Sequence, residues 1–165
     1  MADVANSKLL EGIEGIPQLK DALVVLIKTE WNAAIVDELE RGALKVLQGQ
    51  GIRTKTYTVP GAVEITFAVQ RCWAAGIKAD AFITLGCVIR GGTPHFEYVC
   101  QTVTDGVTQL NLTLPVPTIF GVLTVNTNEQ AEERLGGIHG HKGEEAGITA
   151  MKMIAFSRQL SADAQ

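Results

Sequence analysis

The sequence predicts a three-layer α/β domain, an αβα sandwich on a four-stranded parallel sheet, from three observations. Short runs rich in β-branched and other apolar residues recur without polar alternation, as strands buried on both faces require. Each run is followed by a longer segment whose apolar residues fall at helical spacing. The two kinds of segment alternate along 165 residues, 46% of them hydrophobic, which is the rhythm of βαβ units and supplies material for one core. The chain is therefore read as a single domain over 1–165.

The first strand is placed at 22–28, an apolar run ending in Lys28. A helix follows at 33–48, with Ile35, Val36, Leu39, Ala43, Val46 and Leu47 on one face and Gly49 and Gly51 as its stop. Residues 54–59 alternate like a strand until Pro60-Gly61 breaks them, and 62–75 reads as a helix ending at Gly76. The run 81–88 is a third strand, and a glycine-rich turn, 90–94, opens a helix over 95–112 that carries Phe96, Val99, Val103, Val107 and Leu110 inward. Residues 118–125 form the fourth strand. Thr127 and Gln130 make a capping box for a short helix ending near Gly136. A flexible loop, 136–143, leads to a last helix at 144–160 with Ile148, Met151, Ile154 and Ala155 on one side. Leu9, Leu10, Ile13 and Ile16 precede the first strand without a place in the sheet, so residues 1–16 are read as an N-terminal arm available to add to a neighbouring subunit.

A net charge of −4 argues against nucleic acid, whose binders carry a basic excess. No apolar stretch approaches the roughly 18 residues that span a bilayer, and the N-terminus has no charged leader and apolar core of a secretory signal. The expectation is a cytoplasmic protein. Cys72, Cys87 and Cys100 show no metal-like or C-x-x-C spacing and are read as reduced, buried packing residues. Only 19% of residues are charged, below the quarter typical of soluble domains, which favours apolar surface covered by other subunits.

In open parallel sheets ligands bind beyond the carboxyl ends of the strands. Four loops reach that edge: 29–32, 60–64, 90–95 and 126–128. The third carries the most information. Gly91, Gly92 and Thr93 let backbone approach a ligand just before a helix N-terminus, an arrangement suited to a phosphate. It matches neither a dinucleotide nor an ATP-binding glycine pattern. His95 would stand beside such a phosphate ester as a proton-transfer group. Trp31 is placed to stack on a flat heterocycle, with Phe120 as a second apolar contact. Arg134 is read as either an anion-binding fork or a helix C-terminal residue complementing the dipole. His139 and His141, near Glu144 and Glu145, lack a fixed fourth ligand and have Lys142 between them and the acids, so no metal site is assigned and the loop is read as solvated or as a subunit contact.

Read together, several blocks resemble the lumazine synthase family in order and spacing over 22–154. They are Trp31-Asn32, Arg41-Gly42-Ala43, the blocks 59–65, 85–99 and 120–124, Glu129-Gln130-Ala131 with Arg134, and 141–146. The resemblance implies a flavodoxin-like strand arrangement. It also implies condensation of 5-amino-6-(D-ribitylamino)uracil with 3,4-dihydroxy-2-butanone 4-phosphate, without metal or other cofactor. It puts Trp31 on the pyrimidine ring and lines the same substrate with Ala62, Val63, Glu64, Cys87, Val88 and Ile89, bordered by Phe120 and Lys142. Gly92, Thr93 and Arg134 would hold the butanone phosphate, and His95 would transfer protons.

Some of these groups would come from the adjacent subunit of a homopentamer. The short 136–142 loop resembles members that assemble twelve pentamers into a 60-subunit icosahedral shell, and riboflavin synthase is the associated partner the resemblance suggests. Two departures stand out: Pro94 stiffens the turn before His95, and Thr66 takes a position where the family often has proline. The rival readings are a flavin- or lumazine-binding module without turnover, and a purely shell-forming protein. The first has no use for His95 and Arg134, and the second alone leaves Thr93, His95 and Arg134 unexplained.

Overall fold

The computed structural model describes residues 7–11, 13, 16 and 19–164. Four parallel strands, β1 (Leu23–Thr29), β2 (Arg53–Val59), β3 (Ala81–Ile89) and β4 (Thr118–Val125), form one sheet in the order β2-β1-β3-β4. The helices between them are α1 (Ala33–Gly49), α2 (Ile65–Ala74) and α3 (His95–Thr113). After β4 come the short α4 (Asn128–Glu132), a hairpin of β5 (Leu135–Gly137) and β6 (Gly140–His141), and the long α5 (Lys142–Asp163). The αβα sandwich with a parallel sheet is thus present, and its strand order is flavodoxin-like.

Alternation along the strands sorts the core into two layers. Val24 and Leu26 of β1 with Ala81, Ile83 and Leu85 of β3 face a cluster completed by Leu39 and Ala43 of α1 and Ala150, Met151 and Ile154 of α5. Val25, Ile27 and Phe82 face the opposite way, onto Ile65 and Val69 of α2 and Val103, Val107 and Leu110 of α3. Both central strands are buried on both faces, which is why they read as unbroken apolar runs.

The structure amends several expected elements. The expected 62–75 helix starts with a 3-10 turn, Ala62–Glu64, before α2 proper. Phe96 and Val99 of α3 are only half-buried, as are Cys72 and Cys100, so only Cys87 is a fully buried thiol. Half of the capping box forms: Thr127 Oγ1 accepts the Gln130 N–H, but Gln130 Oε1 takes the N–H of Asn126 instead of that of Thr127.

The expected flexible loop at 136–143 is the β5–β6 hairpin. Glycine at positive φ, Gly136 (108°) and Gly140 (72°), makes so tight a reversal possible. α5 begins two residues earlier than expected because the His141 ring caps it, Nδ1 accepting the Glu144 N–H at 3.4 Å. The other ring nitrogen lies 3.1 Å from Glu38 Oε1 on α1, and the ring occupies the space that a side chain at Gly42 would need. His141 is therefore a helix cap and interhelical wedge, not a solvated loop residue.

Of the arm, residues 1–6, 12, 14 and 15 lie outside the described residues. Leu9, Ile13 and Ile16 pack on the α1/α5 side of this chain's own core, and Lys152 Nζ donates to the carbonyls of Leu9 (2.6 Å) and Glu11 (3.1 Å). No helix among the described residues is long and apolar enough to cross a membrane.

Candidate active site

The strand order reverses direction between β1 and β3, and a crevice opens beyond their carboxyl ends at such a switch point. Asn32 ties the two strand ends together. It is the sole described non-glycine residue at positive φ (58°), and its Nδ2 donates to the Cys87 carbonyl at 2.8 Å. Asparagine tolerates this left-handed backbone better than most residues. The sequence pattern places Asn32 only in a loop, although an asparagine just ahead of a helical run is a signal that could have found it.

We expect Asn32→Gly, which keeps the backbone and loses one hydrogen bond, to cost about 1 kcal/mol. Asn32→Ala adds about 1–2 kcal/mol of left-handed backbone strain. Thermal unfolding midpoints should therefore rank wild type above glycine above alanine. An alanine variant as stable as the glycine variant would contradict this account.

Trp31 stands next to this bridge and is 74% exposed, an unusual presentation for the largest apolar side chain. Its ring lies over buried Gly61, where a Cβ would sit 3.4 Å from Trp31 Cδ1 and 3.1 Å from Glu64 Oε2. The 3-10 turn behind Gly61 brings half-buried Ala62 and exposed Val63 and Glu64 to the same edge. Val88 and Ile89 end β3 half-buried.

Cys87 reaches this edge through its backbone alone. Its side chain, 5% exposed, belongs to the α1/α5 core, and burial pushes the thiol up to about 11. At pH 8 only about one such thiol in a thousand is ionised. Iodoacetamide at that pH should leave Cys87 unmodified in the folded protein and alkylate it after denaturation, as peptide mass spectrometry would read. Labelling of Cys87 at the rate of an open thiol would refute its burial.

Gly92 and Thr93 lie exposed in the turn that follows β3, and with Arg90, Gly91, Pro94 and Glu97 they line a shallow depression of about 320 Å³. His95 is the first residue of the 19-residue α3 and is exposed at the same edge. The positive end of that helix favours an anion over the turn. The Glu97 carboxyl in the helix's first turn is held below its ordinary range by its hydrogen bond to Arg90.

Phe120, Arg134 and Lys142 gather elsewhere. Phe120 pairs with Thr84 in mid-sheet, five positions before the Ile89–Val125 pair that ends the ladder, about 17 Å along the strand. It is therefore not at the strand ends where Trp31 sits. With Arg134, Lys142, Glu145 and Thr149 it lines a partly open cavity of about 500 Å³ along the β4 edge of the sheet. Arg134 lies beyond α4, not at its last turn, and is 8% exposed; its Nη1 donates to the Gln130 carbonyl at 2.6 Å. The guanidinium thus satisfies a carbonyl of α4 and also borders the cavity. Lys142 Nζ bonds both carboxylate oxygens of Glu145 at 2.8 Å, and its backbone N–H bonds the Arg134 carbonyl at 2.9 Å, so the hairpin joins the two cations.

One chain thus presents two residue groups on two different edges. The strand-end edge offers an aromatic plate, backbone polar groups, a glycine-rich turn and a histidine; the β4 edge offers an aromatic and two cations. Such a domain is an α/β small-molecule enzyme of the flavodoxin-like type, with one group of residues at the switch point and the other along the β4 edge. The family model described as 6,7-dimethyl-8-ribityllumazine synthase matches residues 21–158. Proteins of that name are similar over most of the chain: 48% identical over 139 residues in Bacteroides fragilis, covering 82% of this chain and 96% of the relative. In Porphyromonas gingivalis the figures are 47% over 148 residues, with 88% and 91% covered. In Parabacteroides distasonis they are 44% over 145 residues, with 86% and 90% covered. The chain belongs to the 6,7-dimethyl-8-ribityllumazine synthase family.

Proposed function

We propose that this chain is a transferase that condenses 5-amino-6-(D-ribitylamino)uracil with 3,4-dihydroxy-2-butanone 4-phosphate to give 6,7-dimethyl-8-ribityllumazine, phosphate and water, the penultimate step of riboflavin biosynthesis. Supporting it is the juxtaposition, on one sheet edge, of exposed Trp31, the 62–64 turn and a glycine-rich turn running straight into His95. Trp31 stacks on the pyrimidinedione, and the backbone at 62–64 and 87–89 reads its polar edge. Gly92 and Thr93 take the phosphate ester of the second substrate at the α3 N-terminus.

The pyrimidine 5-amino group adds to the ketone and water leaves, giving an imine. Elimination of phosphate follows, and the ribityl-bearing nitrogen closes the ring with loss of a second water. Each step moves a proton at a carbon, nitrogen or oxygen next to the imine, and His95 is placed to accept and return it. Holding two reactants in register supplies much of the acceleration. Proton transfer and phosphate loss of this kind call for no metal or redox group.

Phe120, about 17 Å along β4 from the strand ends, and the Arg134 and Lys142 that share its cavity complete the site of a neighbouring copy. A site divided in this way calls for an oligomer; the family resemblance makes it a homopentamer, and the compact 135–141 hairpin, which carries no insertion, favours closure of pentamers into a 60-subunit shell in the cytoplasm. Association with riboflavin synthase fits the same pathway position. The test is to mix purified protein with both substrates and follow lumazine absorbance. A rate no higher than the spontaneous reaction would overturn the proposal, and a monomer in light scattering would overturn the shared site.

A further inference from the structure

Arg90 leaves β3 just before the glycine-rich turn, and its side chain returns to the far side of that turn. One guanidinium nitrogen, Nη1, bonds Glu97 Oε1 in the first turn of α3. The guanidinium carbon lies 4.2 Å from the centroid of the Phe96 ring, and Nε donates to Asn126 Oδ1 at 2.8 Å. Asn126 is itself held, its N–H donating to Gln130 Oε1 at 2.8 Å, and the Arg90 backbone N–H bonds the Val125 carbonyl at 2.9 Å. One side chain thus closes the loop 91–95 across its two ends and fastens it to the end of β4.

Apart from the ring of Pro94, which fixes its own φ, little among the described residues restrains the turn. A Cβ built on Gly91 or Gly92 would meet nothing within 4 Å. Glycine pairs are costly to order, and donors ordered before the ligand arrives bind it more tightly than donors ordered by it.

We propose that Arg90 and Glu97 form a brace that positions Gly92, Thr93 and His95 for the phosphate substrate, with Arg90 acting as a positioning residue and not as the phosphate's counter-charge. The inference rests on the reading of this turn as the phosphate cradle. The geometry supports a brace because two of the three guanidinium nitrogens, Nη1 and Nε, bond Glu97 and Asn126 while the guanidinium carbon lies over Phe96.

The two roles give opposite signs for one substitution. If Arg90 supplied charge, Glu97→Gln would remove a competing carboxylate and tighten phosphate. If Arg90 braces the turn, Glu97→Gln releases it and weakens phosphate. Arg90→Lys keeps the charge but loses the planar fork and the stacking.

Calorimetric titration of the assembled protein with inorganic phosphate should show binding weakened about threefold to tenfold in both Glu97→Gln and Arg90→Lys. The KM for the phosphate substrate should rise in parallel while that for the pyrimidine stays constant. Phosphate binding that tightens in Glu97→Gln, or is unchanged in Arg90→Lys, overturns the brace alone, provided Thr93→Val still weakens it. Binding indifferent to Thr93→Val as well overturns the cradle reading, and the brace with it.

Discussion

Replacing Arg134 with alanine is expected to raise the KM for the butanone phosphate about 10- to 100-fold while leaving the KM for the pyrimidine nearly constant. Hydrogen bonds from a guanidinium to a phosphate are worth about 1.5–3 kcal/mol, which converts to that range. The cavity magnifies the effect because Arg134 is almost fully buried and the charge is poorly screened there. Arg134→Lys should fall between wild type and alanine, since a lysine retains a point charge but not the planar fork. The alanine variant also uncaps the Gln130 carbonyl, so its unfolding midpoint must be measured beside its kinetics. A phosphate-substrate KM that moves less than twofold would remove Arg134 from the site.

The second large effect is on stability. Gly143 lies in the first turn of α5, directly against α1, and a Cβ built there falls inside contact distance of the Leu39 backbone carbonyl. Backbone in mid-helix cannot step aside as a side-chain tip can, so Gly143→Ala should cost about 3 kcal/mol, near the top of the range for overpacking. That corresponds to a fall of roughly 6–12 °C in Tm for a chain of this size.

Gly49→Ala is the control. Gly49 ends α1, and a Cβ placed on it would meet nothing within 4 Å, so the same chemical change there should stabilise the chain by about 0.5–1 kcal/mol through helix propensity. Differential scanning calorimetry of the two variants tests the contrast, and equal midpoints would refute the close approach of α1 and α5.

The contrast between these glycines also marks what can be read without a structure. Strands β1, β3 and β4 begin and end within a residue of expectation because burial on both faces leaves an unbroken apolar run. Their carboxyl ends follow directly, and with them the grouping of Trp31, residues 62–64 and residues 90–95.

Less local features are out of reach of the pattern. The β5–β6 hairpin depends on glycines at positive φ in a segment with no apolar alternation, so by sequence it reads as loop. His141 falls in that loop because its partners, Glu38 and Gly42, are about a hundred residues away in the chain. The cavity shared by Phe120, Arg134 and Lys142 exists only once the hairpin has brought Lys142 back beside Arg134. The heterocycle comes from resemblance alone, since nothing in spacing distinguishes one flat ring from another.

Phe120 lies in mid-strand, and a consequence for mixed assemblies follows. If each site takes its strand-end half from one copy and its β4-edge half from the next, two damaged chains can repair each other. Trp31→Ala spoils the first half and Arg134→Ala the second. In rings drawn at random from equal amounts of both, about a quarter of the sites receive two sound halves, so activity reappears on mixing two poor enzymes. A site contained in one chain would recover nothing. The contact between copies would then be a part of the substrate pocket, and a compound that loosens the ring would inhibit without resembling either substrate.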